Sequence, residues 1–192
     1  MKKLLASLLA VLIFSHYSIA QNKGQQSLGV SFWLNDFGTA QKIRNSNLEK
    51  VLREKSWSKM RDMSPGLGLT YFRNLHPNID FAGTLAASFL TYPFRNKPLG
   101  TEDELLLEAD ASVNLKMFGD DYWVSPYLIA GIGASKYKSY YGAIIPVGAG
   151  LKVNLFEEAS LFTTLQYRIG LTTETTNYHF VYSFGVAGKI GK

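Results

Sequence analysis

The sequence predicts an all-β fold, an eight-stranded antiparallel up-and-down transmembrane β-barrel. Three observations point there. Apolar and polar residues alternate with a period of two in roughly eight segments along the chain. Those segments follow a stretch that reads as an export leader. Opposite the apolar stripe the side chains are mostly small, among them Gly66, Gly68, Ala82, Thr84, Ala86, Ser88, Gly148, Gly150, Gly185 and Ala187. Small residues suit the crowded inside of a narrow barrel, whereas a sheet facing water carries large solvated groups.

The leader comes first. Lys2 and Lys3 supply a positive start, Leu4 to Phe14 is apolar or small, and Ser18-Ile19-Ala20 offers small residues for cleavage. The apolar run is too short for a spanning helix, which needs about 20 residues. Residues 1–20 are therefore expected to be a signal peptide, and 21–192 an outer membrane β-barrel domain.

Eight strands are expected at Ser27–Leu34, Gly66–Arg73, Ile79–Tyr92, Leu105–Met117, Tyr122–Ser135, Ala143–Leu155, Ser160–Leu171 and Tyr178–Lys189. Leu107 to Met117 is the clearest: Leu107, Ala109, Ala111, Val113, Leu115 and Met117 share one face, and Glu108, Asp110, Ser112, Asn114 and Lys116 the other. The fifth strand is ambiguous, because Tyr127 and Ile129 fall on its polar side. Connections run long, short, long, short after the first four strands. The short ones, Leu75-His76-Pro77-Asn78, Gly119-Asp120-Asp121 and Glu157-Glu158, carry turn chemistry. Outer membrane barrels have short periplasmic turns, which would set both mature termini in the periplasm. Tyr71, Phe72, Tyr92, Phe94, Tyr122, Trp123, Tyr178 and Phe180 lie near strand ends and are expected to form interfacial girdles.

Composition excludes several functions. With no cysteine there is no disulfide, thiolate metal site or thiol nucleophile. The net charge of +5 falls to +3 once Lys2 and Lys3 are removed, and Asp36 to Met63, with seven Lys or Arg against four acids, holds that whole excess. Charge confined to one connection argues against nucleic-acid binding. His76 and His179 are the histidines beyond the leader, and His179 and Ser183 would lie about 13 Å apart on a strand, too far for a catalytic hydrogen bond. His179 is expected at the interface or the lumen rim. No catalysis, cofactor or metal site is expected.

Two sets of residues remain as candidates. Glu108, Asp110, Lys116, Lys152 and Arg168 face inward, with Asp80 as a further member, and must pair because an isolated charge in a narrow lumen is costly. They would form either a gate or a static plug, of which the plug is preferred. In the long first connection, Ser46-Asn47-Leu48-Glu49 matches a capping box, so a helix is expected from about Asn47 to Lys55. Leu48, Val51 and Leu52 would form its apolar stripe. Its Lys50, Arg53 and Lys55 could hold lipopolysaccharide phosphates, or simply be solvated on a helix packed at the barrel rim.

The stretches Ser64 to Tyr71, Leu105 to Lys116, Tyr127 to Tyr137 and Asn177 to Gly188 together resemble the N-terminal β-barrel of OmpA-like outer membrane proteins. The resemblance implies an eight-stranded barrel in the cell outer membrane, with a structural, envelope-integrity or surface-interaction role. It also implies a lumen network of acids and bases, a part that Glu108, Lys116 and Arg168 could play. Expected partners are outer membrane lipid, lipopolysaccharide and the barrel insertion machinery. The sequence ends at Lys192 without the peptidoglycan-binding domain common in that family, so a barrel-only paralogue or a shortened product is expected. The alternatives are a narrow pore for ions or small solutes, and a secreted soluble lipocalin-like binding barrel.

Overall fold

The computed structural model describes residues 24–95, 102–119, 122–156, 158–172 and 174–190. The expected leader lies outside them, as do Asp120, Asp121 and Glu157 of the expected turns. The strands are β1 (Gln26–Asp36), β2 (Ser64–His76), β3 (Ile79–Leu90), β4 (Glu104–Lys116), β5 (Val124–Tyr137), β6 (Tyr140–Phe156), β7 (Ala159–Gly170) and β8 (His179–Ile190). Each pairs antiparallel with its sequence neighbours, and β1 closes on β8. All eight expected segments are strands, with ends shifted by a few residues.

Following the register once around the barrel starts at Gln26 and passes Arg73, Phe81, Val113, Ala130, Val147, Tyr167 and Phe180. The path returns at Asp36, ten residues along β1. That stagger over eight strands, at ~3.3 Å per residue and ~4.8 Å between strands, tilts the strands by about 40°. Such a barrel has an interior just wide enough for side chains to fill it.

Connections 37–63, 91–103 and 171–178 lie at one end, here the loop end, and 77–78, 117–123 and 157–158 at the other, the turn end. The two-residue hairpin Lys138–Ser139 also lies at the loop end, with Lys138 in the left-handed region at φ 52°. At the turn end Asn78, in the β2–β3 turn, extends the β3–β4 ladder: its carbonyl accepts from Lys116 N at 2.8 Å, and its side-chain amide donates to Lys116 O at 3.2 Å.

Period-two alternation sorts the side chains. Outward, Val30, Leu67, Leu85, Leu128, Ile132 and Phe184 are each more than half exposed. Inward, Tyr127 and Ile129 are both buried, which resolves the ambiguity of the fifth strand. They fit because small residues face them: a Cβ on Gly150 would collide with the Tyr127 ring. Gly68 likewise leaves room for Trp33.

The first connection departs from expectation. It opens with an unanticipated helix, α1 (Phe37–Asn45), capped by Asp36, whose carboxylate accepts from Thr39 N at 2.8 Å. The expected helix is shorter, α2 (Leu48–Arg53). Asn47, not Ser46, caps it by accepting from Lys50 N at 2.7 Å. Ser46 ends α1 instead, its hydroxyl donating to Lys42 O at 2.7 Å, so no capping box forms. The apolar stripe divides as well: Val51 is buried while Leu48 and Leu52 are exposed.

The girdle is also smaller than expected. Tyr71, Tyr178 and Phe180 fall on the outward phase of their strands. Phe72 points inward and packs edge-to-face on Phe162 at 5.2 Å. Tyr92 is buried at the loop end, with Phe94 tilted against it at 5.0 Å. Trp123 carries the inward phase of β5 and lines the mouth at the turn end. Position near a strand end does not decide which way a ring points; strand parity does.

Candidate functional site: a three-layered plug

The inward residues close the lumen in layers. Midway toward the loop end, Arg168 reaches from β7 across to β4. Its Nη1 donates to Glu108 Oε2 at 2.9 Å and its Nη2 to Asp110 Oδ2 at 2.7 Å. Nη2 also lies 3.3 Å from Gln166 Oε1, which accepts from it, and the guanidinium sits 4.6 Å from the Trp33 ring centroid. The Arg168 side chain is 0% exposed, so desolvation must be offset by these partners. His179 Nε2 is 3.5 Å from Glu108 Oε2, within reach of a charge-assisted contact when protonated, and its Nδ1 is 3.2 Å from the Asn177 carbonyl.

Above this cluster an aromatic roof covers the mouth. Phe37, at the start of α1, stacks on His179 at 4.5 Å and meets Tyr92 edge-on at 5.2 Å. Tyr92 packs on Tyr137 at 5.2 Å, and Tyr137 OH donates to Leu90 O at 3.2 Å. Asn177 ties the connections together: its N–H donates to Tyr92 OH at 2.7 Å, its side-chain amide to Pro93 O at 2.6 Å, and its Oδ1 accepts from Arg44 at 2.9 Å. Burial pushes the Tyr92 phenol above its ordinary range, the hydrogen bond from Asn177 opposing that shift in part. The 172–177 stretch, expected to be an ordinary polar connection, is thus the clamp of the roof.

Toward the turn end the third layer is apolar and aromatic, built on Phe72, Phe162 and Tyr127. Spaces of only about 10 and 20 Å³ remain beside these rings, near the size of one water. Lys116 and Asp80 pair here at 2.9 Å, both side chains buried. Below them opens a vestibule of about 530 Å³, lined by Asn74, Trp123, Lys152, Asn154, Glu158 and Lys189.

The expected lumen charges are therefore not one network. Glu108, Asp110 and Arg168 come together, Lys116 joins Asp80 nearer the turn end, and Lys152 lines the vestibule. Axial depth separates them, and depth is set by the register between strands distant in sequence. Trp33 and Gln166 were absent from the expected set, although the alternation of β1 and β7 marks both as inward. His179, the first residue of β8, is fully buried at the loop end beneath Phe37. Asn177 carries no local signal at all. Lys50, Arg53 and Lys55 are exposed on and after α2.

No protein-family model matches the chain, and no curated protein matches it by sequence. Solved structures do match. Neisserial surface protein A is 13% identical over 88% of this chain and 98% of that chain, with a TM-score of 0.57. The N-terminal β-barrel domain of Pseudomonas aeruginosa OprF is 14% identical over 87% and 99%, with a TM-score of 0.54. Ail, the attachment invasion locus protein of Yersinia pestis, is 13% identical over 88% and 100%, with a TM-score of 0.53. The chain has the closed eight-stranded antiparallel fold that these outer membrane barrels share.

Proposed function

We propose that this chain is an outer membrane protein whose plugged barrel has a structural or surface-interaction role in the envelope and performs no catalysis. The observation that carries this reading is the band of exposed aliphatic side chains around a lumen filled by the Arg168 cluster and the rings on either side of it. Such a band is a solvation liability in water and a match for acyl chains. This weighs against a soluble lipocalin-like barrel. The filled lumen supports a plug over a narrow pore for ions or small solutes.

Residues 1–20 act as the signal peptide, the barrel insertion machinery receives the chain, and 21–192 form the membrane domain. The turn end and both mature termini face the periplasm, because outer membrane barrels keep their short connections on that side. The helical connection then lies outside, where exposed Lys50, Arg53 and Lys55 are candidates for contact with lipopolysaccharide.

Gel mobility of the membrane fraction with and without boiling tests this. A heat-dependent shift of membrane-extracted protein is expected, since a closed barrel resists unfolding in detergent. Recovery in the aqueous phase on detergent partitioning would overturn the reading.

A further inference from the structure

We propose that Arg44 and Arg95 form a site for the phosphate of an outer-leaflet lipid, on the outer wall of the barrel at its loop end. This rests on the reading that the barrel spans the outer membrane with its loop end outward. Three connections converge on the site. Arg44 comes from α1 and Arg95 from the β3–β4 connection. Tyr178, just before β8, is the ring they share: the guanidinium carbons lie 5.6 and 5.3 Å from its centroid.

Two like charges gathered on one ring repel each other, and the ring alone is a weak compensation. Among the described residues neither arginine has a carboxylate within ion-pair distance. Arg44 spends one N–H on Asn177 Oδ1, and Arg95 makes no hydrogen bond to a described residue. Both are exposed. Guanidinium forks left open in this way match phosphate oxygens, which they bind in a planar, bidentate fashion.

The wall beneath the pair identifies a lipid as the source. Tyr178 lies parallel to Tyr167 at 6.0 Å, and Tyr167 packs on Phe180 at 4.8 Å. Both rings carry the outward phase of their strands, and Leu165 continues that face. Cations, then interfacial aromatics, then aliphatics follow one another along the wall, as do the phosphate, glycerol or sugar, and acyl chains of a lipid.

The test uses the mature chain refolded in dodecyl maltoside micelles, checked for heat-modifiable mobility. It is incubated with lipid A carrying phosphate monoesters or with the dephosphorylated lipid, and retained lipid is read by native mass spectrometry. Wild type is expected to retain the phosphorylated form preferentially. Arg44→Gln/Arg95→Gln should lower that retention about tenfold or more, the loss of two charge-assisted contacts. Lys50→Gln/Arg53→Gln/Lys55→Gln should lower it less. Arg95→Gln alone should show part of the loss, and decides the matter if the double variant fails to fold. Equal retention by folded wild type and variant, equal retention of the dephosphorylated lipid, or a larger loss in the α2 variant would overturn the site. A wild-type chain without the heat-dependent shift would overturn the membrane reading itself.

Discussion

Arg168 on β7 and Asp110 on β4 meet across the lumen at 2.7 Å, joining two strands that share no backbone ladder. With the 2.9 Å contact to Glu108, this pairing makes Arg168 the strut of the barrel interior.

Arg168→Met leaves two carboxylates buried without their cation. Removing one partner from a buried ion pair costs roughly 3–5 kcal/mol. A large fall in the urea midpoint of micelle-refolded protein is expected. Adding Glu108→Gln and Asp110→Asn should restore much of it, since the uncompensated charge is then gone. An unchanged midpoint in Arg168→Met would mean that the cluster is not under the desolvation its burial implies.

Planar-bilayer recording of refolded wild type should give no discrete conductance. The Arg168 cluster and the Phe72–Phe162 pair both lie across the only route through the lumen that the described residues leave. Resolved steps would reinstate the pore.

Arg at Val113, on the outward face, should block membrane insertion, because a charge at the bilayer midplane costs about 2–4 kcal/mol there. Ser27→Arg should be tolerated, because Ser27 faces the 530 Å³ vestibule. Ser112 would be a poor control: it is inward but buried in the filled part of the lumen. Similar heat-modifiable yields for Val113→Arg and Ser27→Arg would refute the assigned faces.

Tyr92→Phe removes the acceptor for the buried Asn177 N–H, at about 1–3 kcal/mol. The same residue sets a pH dependence. Burial raises the Tyr92 phenol above the usual ~10, so the folded barrel holds a proton that the unfolded chain releases. Its contribution is full below pH ~10 and is lost as pH rises beyond that. The stability gap between wild type and Tyr92→Phe should therefore narrow between pH 9 and pH 11 (roughly, the span around an ordinary phenol). A gap that widens would contradict this.

Gly150→Ala should destabilise by about 1–3 kcal/mol through overpacking against Tyr127. In a Tyr127→Leu background that penalty should disappear. A penalty that persists would locate the strain in the backbone rather than in the ring.

Much of the barrel was legible in the chain. Alternation marks the inward and outward faces of β4, β7 and β8 without ambiguity, because side chains of a strand can point only two ways. Turn residues such as Pro77-Asn78 mark the hairpins for the same local reason. Local motifs misled where two fits compete: Ser46 satisfies a capping-box pattern, but the preceding helix uses it as a terminator and Asn47 caps α2 instead.

What the sequence determined by itself, then, is which residues face the lumen and how many strands enclose it, since both follow from a period of two and from turns within a few residues. What only the tertiary structure decided is which inward residues meet. Arg168 finds Glu108 and Asp110, and Lys116 finds Asp80, while on the outer wall Arg44 and Arg95 share Tyr178. The Arg168 meeting depends on the summed registers from β4 through β7, which no single segment carries, and the Lys116–Asp80 meeting on the β3–β4 register.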